Sequence, residues 1–241
     1  MVERAVEEER VSATESVEVL GRQVALPVEV RTARSAAATF LVRHDAASRL
    51  LAPAGLEPKA LPGGRAACIL ALVQYVDNDL GPYNEVALSV AVGAREGAPA
   101  GAYIHDLPVD GDFTCAAGRG IWGFPKWIAD IDLSIGDRRA HCRLSHGGQL
   151  VLNLEIAPRW VPLPARPMAM SAYARLNGVT RRTPFSSQVQ RVRGGPGGAR
   201  LTLGRDHPMS DALRALGLPK RAVMSSVIGN MAATFGAPTP L

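Results

Sequence analysis

Lysine is scarce in this chain: Lys59, Lys126 and Lys220 stand against 24 arginines among 27 basic residues. Arginine usage of that kind can reflect codon bias alone, yet it singles out any lysine whose setting asks for an amine. Lys126 has such a setting. It lies in Gly118-Arg-Gly-Ile-Trp-Gly-Phe-Pro-Lys126-Trp-Ile-Ala-Asp130, with Trp122, Phe124 and Trp127 within four residues. An ammonium among aromatic rings loses hydration, which disfavours its charged form and should lower its pKa. A neutral amine attacks carbonyl carbon and forms a Schiff base, whose iminium accepts electrons when a neighbouring bond breaks. The bland alternative is a lysine that lays its stem on the rings and sends its charge to water.

Proton transfer would need a partner within hydrogen-bond reach, and Glu85, closing Asp77-Asn-Asp-Leu-Gly-Pro-Tyr83-Asn-Glu85, is the candidate. Its alternative role is an ion pair with an arginine at a sheet edge. An arginine such as Arg34, or Arg31, is suited to hold a carboxylate by a two-pronged contact.

Other motifs fail on their own terms. Gly118-Arg-Gly120-Ile-Trp-Gly123 matches the glycine pattern of dinucleotide sites, but that pattern must open a helix, and Pro125 stands in the way. The glycines around Pro196 lack the Lys-Ser/Thr of a phosphate loop and read as a wide hairpin tip. His141 and Cys142 would point to opposite faces of a strand, so no metal site is expected, and no cofactor either. No Gly-x-Ser-x-Gly elbow is present.

The elements that must position these residues read mostly as strands. Stretches 24–30, 37–42, 66–76, 85–92, 102–108, 128–135, 140–144 and 150–156 are β-branched, apolar or alternating. Short helices fit 44–51 and 209–216, with 225–235 a further candidate, and Asp110-Gly111 marks a turn. Closely spaced strands without βαβ alternation predict a mainly β (α+β) fold: a large, mainly antiparallel sheet system or barrel with a few short helices.

With 241 residues, 47% hydrophobic and 20% charged, the chain can bury a sizeable core as one domain over residues 21–241. Residues 1–20 form an acidic segment of net charge −4 before a body of +9, an expected flexible arm. The scattered arginines argue against nucleic acid as a partner. The absence of a long apolar run argues against a membrane span, and the chain reads as cytoplasmic. Three widely spaced cysteines, Cys68, Cys115 and Cys142, read as buried free thiols.

The segment Gly118 to Lys126, a Gly-Arg pair ahead of an aromatic-Pro-Lys, resembles the active-site signature of the acetoacetate decarboxylase family. Gly81-Pro-Tyr83-Asn-Glu85 resembles that family's Gly-x-Tyr-x-Glu segment. The stretches at Gly198, Asp206-His-Pro-Met, Leu218-Pro-Lys and Met224-Ser-Ser resemble its closing strand and helix. The resemblance implies the family's β fold, a Schiff-base lysine at Lys126, and Glu85 facing the active site. It also implies a small-molecule keto substrate and a homo-oligomer. The sequence departs from the family where a second lysine is replaced by Trp127, and where a family carboxylate falls on Leu70.

The expectation is therefore a Schiff-base lyase acting on a β-keto acid. Lys126 and Glu85 would be catalytic, and Arg34, Tyr83, Trp122, Phe124 and Trp127 would bind substrate. The departures leave room for a non-decarboxylating aldolase, dehydratase or cyclase on a larger keto substrate, of the kind found in secondary metabolism. A binding protein without covalent chemistry is the third reading.

Overall fold

A computed structural model describes residues 15–95, 98–158 and 161–241. The elements run β1 (Ser16–Val19), β2 (Arg22–Ala25), β3 (Val28–Arg43), α1 (His44–Leu51), β4 (Arg65–Asn78), β5 (Tyr83–Val92), β6 (Gly101–Val109) and α2 (Asp112–Ala117). They continue with β7 (Lys126–Ile128), β8 (Asp130–Ile135), β9 (Ala140–His146), β10 (Gln149–Ile156), β11 (Val161–Pro162), β12 (Met168–Leu176) and β13 (Val179–Gly195). The chain closes with β14 (Ala199–Leu203), α3 (Pro208–Ala215), β15 (Met224–Phe235) and β16 (Thr239–Pro240).

The large sheet is a closed barrel. Its strand order is β13-β12-β6-β5-β4-β3-β15, and β15 pairs back onto β13. Every junction in this ring is antiparallel except β12 beside β6. Side chains alternate across each strand, so every wall strand serves two environments. On β4, Ala71, Val73 and Tyr75 line the lumen, whereas Cys68, Leu70 and Leu72 are wholly buried on the outer face. That outer face packs, with Phe40, Val86 and Leu88, against Leu144, Leu152, Leu154 and Ile156 of the second sheet, β14-β10-β9-β8.

The expected fold class is the one observed, with local differences. Stretches 24–30 and 37–42 are expected as paired strands; instead β2 ends at Ala25, Pro27 follows it, and β3 runs as one strand from Val28 through 37–42. Residues 225–235, a possible helix by pattern, form β15, because Ser225, Val227, Met231 and Ala233 are buried on alternating positions between β3 and β13. The glycines around Pro196 do not tip a hairpin: β13 belongs to the barrel and β14 to the second sheet, so this link changes sheets. The acidic arm lies mostly outside the described residues, but Ser16–Val19 pair with β2. No helix among the described residues is long and apolar enough to cross a membrane. Nor do three or more His, Cys, Asp or Glu groups among them gather as a metal site.

Candidate active site

After β6 the chain enters α2 and a widened helical turn over Gly118–Trp122. Gly123 then adopts φ +69°, the left-handed cap that glycine takes most readily, and its amide closes onto the Gly118 carbonyl. Pro125 cannot continue the helix, so the chain leaves as β7, parallel to β6 with Lys126 opposite Leu107. The glycine-rich segment thus ends a helix, whereas a dinucleotide motif would begin one. Gly118 has a different duty: a Cβ there would stand 2.5 Å from Lys126 Cδ, so only glycine leaves room for the lysine stem. Arg119 donates to the Lys126 carbonyl at 2.8 Å and pins the start of β7.

Lys126 is 3% exposed and points into the barrel. Its Nζ lies 2.9 Å from Glu85 Oε2, donates to Thr114 Oγ1 at 3.1 Å, and sits 4.8 Å from the Tyr83 ring centre. The other Glu85 oxygen accepts from the Tyr75 hydroxyl at 3.0 Å, and the rings of Tyr75 and Tyr83 stack at 4.3 Å. Pairing explains the convergence: β6 sets Val109 opposite Glu85 and Leu107 opposite Lys126, so carboxylate and amine meet across one strand. Burial alone pulls the Lys126 pKa down, but the Glu85 carboxylate and Tyr83 outweigh it and hold the ammonium above its ordinary value. The sequence expectation of a lowered pKa is corrected here, because desolvation was weighed without the buried counter-ion. Burial, reinforced by Glu85, raises the Tyr75 phenol well above its usual range and keeps it a donor.

Lys126, Glu85, Tyr83, Trp122 and Phe124 all line one cavity. Trp122 and Phe124 stack at 5.6 Å, and the Trp122 indole nitrogen donates to the Gly236 carbonyl. Trp127 does not join them. One residue along β7 reverses the side-chain direction, so its indole faces outward, donating to Asp106 and lying against His146 and His207. It therefore does not occupy space beside Lys126.

Neither candidate arginine reaches the cavity. Arg34 neighbours the inward-facing Ser35, points out of the barrel, and donates to the Ile135 carbonyl from a groove it shares with Asn84 and Asp110. Arg31 is tied to Asp77 at 2.8 Å and Asp79 at 2.6 Å on the surface. Leu70 also faces away from the lumen, into the core between the sheets. Sequence reasoning missed Tyr75 and Thr114. The alternation of β4 carries the signal for Tyr75, two residues beyond Val73; Thr114 lies on a helix that no pattern announced.

The chain matches the family model for acetoacetate decarboxylase over residues 21–241. Among solved structures it is similar to the enduracididine biosynthesis enzyme MppR, at 21% identity and TM-score 0.65, over 89% of this chain and 87% of that one. An acetoacetate decarboxylase from Legionella pneumophila gives 18% identity and TM-score 0.64, with 89% and 87% covered. An acetoacetate decarboxylase-like enzyme from Sphingomonas wittichii RW1 gives 18% and 0.62, with 95% and 99% covered. Among curated proteins, no sequence matches. With a family match across nearly the whole described chain and a shared barrel, the protein belongs to the acetoacetate decarboxylase family.

Proposed function

We propose that the protein is a Schiff-base enzyme acting on a keto substrate, with Lys126 as nucleophile and Glu85 as its proton-transfer partner. The observation that carries this reading is the buried 2.9 Å Lys126–Glu85 pair in the cavity wall. When a carbonyl compound reaches the pair, Glu85 takes the ammonium proton and the freed amine adds to the carbonyl carbon. Glu85 then returns that proton to the carbinolamine hydroxyl, which departs as water. The iminium left behind again faces a carboxylate, so the charge balance of the cavity is restored. From there either carbon dioxide leaves a β-keto acid, or Glu85 removes a proton from the carbon next to the iminium. Both routes give an enamine; the first ends in protonation, the second permits condensation or dehydration.

One observation favours the second route: no arginine among the described residues lines the cavity to hold a substrate carboxylate. MppR has been solved with the condensation product of pyruvate and imidazole 4-carboxaldehyde, which is consistent with carbon–carbon bond formation on this scaffold. Incubation with keto compounds and borohydride, followed by peptide mass mapping, tests the proposal. Mass added at Lys126 is expected; no adduct with any carbonyl compound would refute it. Carbon dioxide release then separates the two routes.

A further inference from the structure

The lumen holds about 250 Å³. Among the described residues, its charged lining groups are Lys126 and Glu85, which already neutralise each other. Away from that pair the wall is mostly apolar, Ile104, Met170, Val189, Ile228, Met231 and Phe235 among its members, with the uncharged Ser35, Asn78, Ser89 and Ser187 as its polar side chains besides the tyrosines. A neutral ketone entering this space keeps the balance of charge through every step to the iminium. A β-keto carboxylate adds a negative charge with no cation left to meet it, and buried unpaired charge is strongly unfavourable. Burial of that kind hastens decarboxylation only when binding of some remote part of the substrate holds the acid there. A short keto acid has no such part.

The far wall carries a second observation. Ser187, on β13, lies three strands around the barrel from Glu85 on β5, lines the cavity, and is 3% exposed. Its Oγ has no hydrogen-bond partner. A buried hydroxyl left unpaired is costly, and a ligand in the lumen would relieve it. Arg182 Nε and Thr183 Oγ1 are also without partners on this strand, but neither residue lines the cavity.

We propose that the cavity takes a neutral ketone or aldehyde with an apolar chain, carrying at its far end an oxygen that bonds to Ser187. A dry cavity of about 150 Å³ accommodates benzene, so this one suits a molecule of about ten non-hydrogen atoms. Attack at Lys126 rests on the Schiff-base reading above; the apolar, neutral character of the ligand does not.

Linear methyl ketones of graded chain length, as plain alkyl and as hydroxyl-terminated compounds, test this against acetone and acetoacetate. Binding to the full-length protein is read by calorimetry, and covalent capture by borohydride and mass at Lys126. The longer ketones are expected to bind at least tenfold more tightly than acetoacetate, with one chain length favoured in the hydroxyl series. Acetoacetate binding as tightly as the best ketone would overturn the inference, even if every compound forms an adduct. Tight ketone binding without any adduct would instead sink the Schiff-base reading and leave this one standing. Ser187→Ala should erase the advantage of the best hydroxyl-terminated ketone, about fivefold, without lowering the melting temperature, because Oγ has no protein partner to lose. Persistence of that advantage in the variant would overturn the role given to Ser187.

Discussion

Replacing Lys126 by arginine keeps a cation beside Glu85 but removes the amine that can lose its proton. Lys126→Arg is therefore expected to form no borohydride-trapped adduct while melting within a few degrees of the parent, as followed by circular dichroism. Lys126→Met should be worse for the fold, since it strands a buried carboxylate; breaking such a pair costs about 3–5 kcal/mol. Glu85→Gln separates the two influences on the lysine. In the parent, Glu85 and Tyr83 raise the Lys126 pKa against the downward pull of burial. The neutral amine, and with it the rate of adduct formation, should grow as pH rises toward that raised value. Without the carboxylate, burial dominates and the rise moves to lower pH, so capture near neutrality persists or quickens. Turnover slows, because the proton transfers assigned to Glu85 lose their carboxylate. A pH–rate profile of borohydride capture checks both statements, and an unshifted profile would remove Glu85 as the controlling charge.

At the scale of elements, the turn after α2 is built around the lysine stem. Gly118→Ala inserts a Cβ at 2.5 Å from Lys126 Cδ and 2.6 Å from Cε. Gly118 has ordinary helical backbone angles, so the helix tolerates alanine. The clash falls on a flexible side chain, which is expected to swing Nζ away from Glu85 and Thr114. Misplacement by about 1 Å can cost about 100-fold in rate, so adduct formation should fall by about that factor while thermal stability changes little. Loss of stability with unchanged adduct kinetics would show that Gly118 serves the fold alone. Much of this arrangement was legible in the chain. Pro125 bars a helix from running on into Lys126, and alternation along β5 places Glu85, Ala87 and Ser89 on one face. The opposite orientations of Lys126 and Trp127 follow from the same alternation, yet the choice of which faces inward needed the parallel pairing with β6.

For the molecule as a whole, the barrel wall is shared between the lumen and the core under the second sheet. Leu154 is fully buried in that core. Leu154→Ala should cost about 2–5 kcal/mol, read as a lower denaturant midpoint, and should leave the affinity of ligands in the lumen close to that of the parent under native conditions. A large loss of ligand affinity at full folding would show that the core and the cavity are mechanically coupled. The same division explains Leu70: a carboxylate at that position would be buried among Leu72, Leu88 and Leu144, far from any counter-charge in the site.

The sequence by itself determined the β class, the bar that Pro125 sets against a helix running into the lysine, and the identities of Lys126 and Glu85 as chemically capable groups. These are local matters: alternation, turn chemistry and side-chain type act over a few residues. Only the tertiary structure decided that Lys126 rests as an ion pair, that Tyr75 and Thr114 complete its contacts, and that Arg31, Arg34 and Trp127 face elsewhere. Each of those outcomes depends on strand register around a closed barrel, where a shift of one residue sends a side chain to the other face. The charge state of the lysine depends on it as well, because the counter-ion comes from a strand about forty residues away in the chain, brought within 2.9 Å by pairing.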